Sequence, residues 1–162
     1  MNVQVQTGPL ADLAAEALVV GVYEGETQPT GLAAELDGVV GGLIAAVIAS
    51  GDFKAKANQT IVLHAPTAKI KRAVVVGLGK LGEASLETYR QAAGKAVGAA
   101  KELRVKAVTI GLAADAERGW KAANGAFDAR EAAQAVAEGA LMATWAMNDY
   151  RTRDLDELKT IT

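Results

Sequence analysis

At 162 residues, with 51% hydrophobic by count, the chain is sized for one domain with a core of its own. A net charge of −2 supplies no basic field for nucleic acid, and the absence of cysteine removes disulfides, thiolate metal sites and cysteine nucleophiles together. Aromatics make up only 4%, so alanine and glycine carry much of the apolar content and the core must form by close approach of helices to a sheet.

No Lys or Arg precedes the first strand, which is unlike a secretory signal. The longest apolar run, Val39 to Ala49, is shorter than the ~20 residues of a membrane span. These features predict a soluble, cytoplasmic domain with no membrane partner.

In chain order, "NVQVQ" at residues 2–6 alternates polar and apolar and predicts an edge strand. The apolar run from Ala17 to Tyr23 predicts a buried strand, and "EGETQPTG" a loop broken by Pro29 and Gly31. A helical stretch follows from Leu32 to Ser50, broken or weakened near Gly38 and Gly41-Gly42. "GDFKAKAN" reads as a polar loop, Gln59–Ala65 as a strand stopped by Pro66, and "RAVVVGLG" as a central strand, the two strands close enough for a hairpin.

Ser85 is placed to cap a helix on which Leu86, Tyr89, Ala93, Val97 and Ala100 make one narrow apolar face, with Glu87, Gln91, Lys95 and Glu102 opposite. Val105–Leu112 predicts another strand, and glycine-punctuated "AERGWKAANG" a loop or short turn. Asp128 with Glu131 three residues on forms a capping box for a last helix from about Ala129 to Tyr150. Strands, then β–α–β–α, predict an α/β three-layer sandwich with a mixed central sheet and helices on both faces.

Gly77, Gly79 and Gly82 spell G-x-G-x-x-G directly behind a run of valines. In a dinucleotide-binding unit that string ends the first strand, opens a helix at once, and is followed after about 20 residues by an acid for the ribose. Here the strand is about the fourth, the helix starts only near Ser85, and the first acid after the next strand, Asp115, lies well beyond that spacing. A tight-packing strand-to-helix turn accounts for the glycines. A phosphate contact through their backbone N–H groups stays open.

Other candidates are thin. His64 is the single histidine and has no partner that the sequence identifies; a structural imidazole accounts for it. Glu35 and Asp37 sit two apart on a helix and do not share a face. Lys69, Lys71 and Arg72 read as a solvated turn. No H-E-x-x-H, paired-carboxylate metal cluster or G-x-S-x-G occurs, so no catalytic and no metal residue is predicted.

Three segments in series carry a resemblance: "ALVVGVYEGE", then "RAVVVGLGK" with "ETYRQAAGKAVGAAK", then "AAQAVAEGALMATWAMNDYRTRD". In order and spacing they resemble the N-terminal domain of the leucyl (cytosol) aminopeptidase family over nearly the whole chain. The resemblance implies a macro-domain-like fold in which the glycine turn is scaffold. It implies residues 1–150 as that domain and residues 151–162 as the start of a segment leading to a C-terminal catalytic domain. It further implies a parent exopeptidase that releases N-terminal residues, often leucine, from peptides, works as a homo-hexamer and uses two divalent ions (zinc, manganese or magnesium).

Such enzymes keep their metal ligands and catalytic groups in the C-terminal domain, and the "NTDAEGR"-type motif is absent here. The expected role is therefore a non-catalytic domain, with no cofactor of its own, that aids assembly and substrate access. The alternatives are a free-standing nucleotide or ADP-ribose binder and a DNA-binding accessory domain, the latter disfavoured by the net charge. On the last helix, Ala132, Val136, Ala140, Ala143, Met147 and Tyr150 share a stripe, whereas Leu141 and Trp145 lie on another side. They are expected to face outward or into a weak self-contact in the isolated chain, and to meet other protein in the parent enzyme.

Overall fold

The computed structural model describes residues 2–4, 10, 13–65, 69–145 and 160–162. Its strands are β1 (Asn2–Val3), β2 (Leu18–Val22), β3 (Thr60–His64), β4 (Arg72–Gly77), β5 (Ala107–Ile110) and β6 (Thr160–Ile161). Its helices are α1 (Gly31–Val39), α2 (Leu43–Ser50), α3 (Leu86–Glu102), α4 (Ala116–Ala122) and α5 (Ala129–Thr144), with a 3-10 turn at Leu81–Glu83. One six-stranded sheet runs in the order β1-β6-β5-β2-β4-β3. All neighbours are parallel except β3 and β4, which form the expected antiparallel pair with His64 opposite Arg72.

β2 and β4 are continuous apolar runs because both their faces are covered. Leu18, Val20 and Val22 of β2 pack with Ala73 and Val75 of β4 under α1 and α2, together with Phe53. Val19, Val74 and Val76 point the other way, into a cluster with Tyr89, Ala93 and Val97 of α3 and Ala132 and Val136 of α5. The expected αβα sandwich is therefore the observed one.

Glycine sets how closely the layers approach. A Cβ on Gly139 of α5 would lie 1.9 Å from the Arg90 carbonyl oxygen of α3. Arg90 also reaches across that seam to Glu138, at 2.8 Å, and Lys101 Nζ donates to the Ala143 carbonyl at 2.6 Å. Both long helices open on capping boxes, Ser85 with Thr88 and Asp128 with Glu131.

The stretch from Leu32 to Ser50 breaks at one of the expected glycine sites into two helices, bent by 111°, because Gly41 and Gly42 adopt φ of 74° and 81°. Asp37 belongs to that corner: its Oδ1 accepts from the Ile44 and Ala45 amides at 2.7 and 3.1 Å, capping α2 from the preceding helix. Other expectations are revised. "AERGWKAANG" holds helix α4 rather than only a turn. The last helix ends at Thr144, with Trp145 extended at φ −62°, ψ 131°. Its final carbonyls find side-chain partners, Leu141 O from Thr144 Oγ1 and Ala143 O from Lys101. Met147 and Tyr150 of the expected stripe, and Pro66, lie outside the described residues. Thr160–Ile161, in the segment expected to begin a connector, forms β6 between β1 and β5.

Gly139→Ala is expected to lose about 1–3 kcal/mol to forced separation of α3 and α5, despite alanine's better helix propensity. Gly98→Ala, on an exposed face of α3 with nothing near its Cβ position, is expected to gain about 0.5–1 kcal/mol. Urea denaturation of the pair measures both. Asp37→Ala, which uncaps α2, is expected to cost about 1 kcal/mol in the same assay.

Candidate functional site

In α/β sheets ligands enter where adjacent parallel strands send their chains in opposite directions. Here those strands are β2, which leads through α1 and α2 toward β3, and β5, which leads through α4 and α5 toward β6. The crevice lies at their C-terminal ends, between the loop from Tyr23 to Thr30 and the loop from Gly111 to Asp115.

This protein's own side chains occupy it. Asp115 Oδ2 accepts from the Leu32 amide in the first turn of α1 at 2.8 Å. Gly31, at φ 55°, permits that approach, since a Cβ there would meet Asp115 Oδ1 at 2.2 Å. Arg118 pairs with Glu26 Oε1 at 2.5 Å, donates to Thr30 Oγ1 and lies over the Tyr23 ring, its Cζ 5.4 Å from the centroid. Glu26 in turn accepts from the Tyr23 amide at 3.0 Å and from Thr30 Oγ1 at 3.0 Å. The Tyr23 and Tyr89 hydroxyls share a 2.6 Å hydrogen bond beneath Gly119, where a Cβ would strike both.

Burial sets the electrostatics. It raises the pKa of the Asp115 carboxyl, against the lowering by the Leu32 amide and Arg118. It also raises the pKa of both tyrosine hydroxyls, with their mutual hydrogen bond adding to the rise at Tyr23 and opposing it at Tyr89. Both phenols are thus neutral at physiological pH, and neither is poised as a nucleophile. The half-buried carboxylates are committed to protein donors: Asp37 to α2, Asp115 to α1, Glu26 to Arg118, Glu16 to the Lys106 amide and Glu138 to Arg90. Among the described residues no three or more His, Asp or Glu side chains gather where they could hold a metal.

The glycine turn lies at the end of β4. Its first three donors are spent on backbone carbonyls: Gly77 N–H on Gln59 at 2.7 Å, Leu78 on Val22 at 2.9 Å and Gly79 on Ala55 at 3.1 Å. A Cβ on Gly77 would lie 2.1 Å from the Lys56 carbonyl oxygen, and Gly79 needs φ 72°. Gly77 and Gly79 thus let the loop before β3 close over the strand end, while Gly82, in the 3-10 turn, faces open space. A shallow hollow beside the turn is lined by Asn58, Gly77, Ser85, Glu87 and Gln91. Asn58 Nδ2 donates there to Gln91 Oε1 at 3.0 Å.

His64 is exposed at the end of β3, Glu35 is exposed on α1, and Lys69 and Lys71 are exposed in the turn before β4. None of these bonds to the crevice residues, although the Glu35 charge adds to the raised pKa of Asp115. Sequence reasoning missed Asp115, Arg118 and Tyr23, whose partners are remote in the chain. Asp115 showed only as an acid at the wrong spacing.

Calorimetric titration with NAD is expected to give no saturable heat, because the Gly77, Leu78 and Gly79 amides at the strand end are already bonded. Gly79→Ala is expected to cost about 1–2 kcal/mol for a left-handed alanine, read by denaturation.

Comparison with known proteins accords with this architecture. Residues 19–154 match the family model described as "Cytosol aminopeptidase family, N-terminal domain". A probable cytosol aminopeptidase of Nostoc punctiforme is 32% identical over 146 residues, covering 90% of this chain and 28% of that protein. The chain thus spans less than a third of that relative's length. Among solved structures, a mutant tomato leucine aminopeptidase superposes with a TM-score of 0.76 at 20% identity, over 99% of this chain and 32% of that one. A Trypanosoma brucei macrodomain in complex with ADP-ribose superposes at 0.68 and 11% identity, over 98% of this chain and 62% of that one. At these identities the structural likenesses establish the fold, whereas the family match establishes descent: the chain belongs to the cytosol aminopeptidase family, as its N-terminal domain.

Proposed function

We propose that this chain is the non-catalytic N-terminal domain of a metal-dependent aminopeptidase, a cytoplasmic hexamer that releases N-terminal residues, often leucine, from peptides. The observation that carries this reading is the family match over residues 19–154, in a chain that covers only 28% of its relative from Nostoc. The catalytic centre and its two divalent ions, zinc, manganese or magnesium, belong to the larger remainder of such a protein. The described residues here do not fit those ions, since their half-buried carboxylates already serve amides and guanidinium groups.

The surface suits attachment to a larger body. Leu141, Met142 and Trp145 cluster at the end of α5 and are 43%, 70% and 73% exposed. Leu141 faces out along the helix, and Trp145 does so because the chain leaves the helix there. We assign this apolar patch to contact with the catalytic domain of the same polypeptide. An ADP-ribose-binding module is the competing reading, but an 11% identical neighbour conveys fold and not function.

The purified chain is expected to leave a leucine chromogenic substrate intact with added manganese or zinc. Turnover that survives repurification would overturn the assignment. Trp145→Ala is expected to change the chain's stability by less than about 1 kcal/mol, against the ~3–5 kcal/mol of truncating a buried Trp or Phe. A loss in that upper range on denaturation would place Trp145 in the domain's own core.

A further inference from the structure

We infer that α4 is a lid latched shut over the crevice between β2 and β5, with the Asp115 carboxylate as its latch. Asp115 stands at the N-cap position of α4, where its side chain would ordinarily serve its own helix. It makes no such bond. It is spent instead across the crevice, on the Leu32 amide of α1.

Two further ties hold the same lid. Arg118 fastens it to Glu26 and Thr30 of the loop after β2. Gly119 seats it on the paired tyrosine hydroxyls. Below the lid the crevice walls touch: a Cβ on Gly111 would lie 2.2 Å from Leu32 Cδ2.

The closure has a chemical consequence. A helix N-terminus facing such a crevice receives a ligand's phosphate or carboxylate. Here that place already holds a carboxylate, and the neighbouring cation, Arg118, is paired. A nucleoside diphosphate or ADP-ribose would have to displace both at once and part Leu32 from Gly111. The latch therefore makes the crevice a fixed joint between two loops and excludes ligands of that class.

Amide hydrogen exchange of this chain, with ADP-ribose as the probe, tests the latch. In the unaltered chain the Leu32 amide should exchange slowly, and millimolar ADP-ribose should change neither its rate nor the spectrum. In Asp115→Ala the Leu32 amide should exchange about tenfold faster or more, the effect of losing a charged hydrogen bond. The amide of Val75, in the centre of β4, should keep its rate. Where Asp115→Ala does not fold, Asp115→Asn retains the side-chain volume and an acceptor but not the charge, and should show a smaller acceleration confined to Leu32. Unchanged Leu32 exchange, equal acceleration at Leu32 and Val75, or saturable ADP-ribose binding by the unaltered chain would each overturn the proposal.

Discussion

The arrangement of this domain depends on how closely α5 lies against α3. Gly139 puts the α5 backbone where a side chain would overlap the Arg90 carbonyl. With so few aromatic residues, the buried faces of α3 and α5 consist mostly of alanine: Ala92, Ala93, Ala96, Ala100, Ala132, Ala135 and Ala140. Short side chains bury apolar surface only when backbones come near, because dispersion attraction falls off within an ångström of contact. The close seam therefore makes an alanine-rich core workable, and Arg90 and Lys101 span its edges as it closes.

Parts of this were legible in the sequence because they are local. β2 and β4 show as valine-rich runs, and the Asp128–Glu131 box is a spacing rule whose two bonds form as expected, at 2.8 and 3.0 Å. Helix α4 was illegible for the opposite reason. Gly119 and Gly125 look like breakers in the string, yet Gly119 is required by two tyrosine hydroxyls that arrive from the loop after β2 and from α3. Asp115 and Leu32 pair across 83 positions; no window of sequence contains both. β6 is two residues long and has no periodicity to detect.

The glycine motif shows how a correct string can serve another end. Close backbone approach is the property that G-x-G supplies. In a dinucleotide-binding turn the approaching group is a pyrophosphate; at Gly77 it is the chain's own loop at Ala55–Lys56. What separates the two uses is where the amides point, and that depends on whether a neighbouring loop is long enough to fold back over the strand end.

The place of β6 bears on the order in which the molecule can assemble. Among the described strands, β1 pairs only with β6, and β6 is the second neighbour of β5. The N-terminal strand therefore has no partner in the sheet until residues 160 and 161 have been synthesised. Until then β5 is a bare parallel edge, with the Ile110 amide, later bonded to Thr162 at 2.5 Å, still open. Such edges recruit foreign strands, and contacts between residues so far apart in the sequence are slow to form. A ribosome-bound chain that stops short of Thr160 would present both a loose N-terminal strand and an unpaired sheet edge, a state in which a chaperone has something definite to shield.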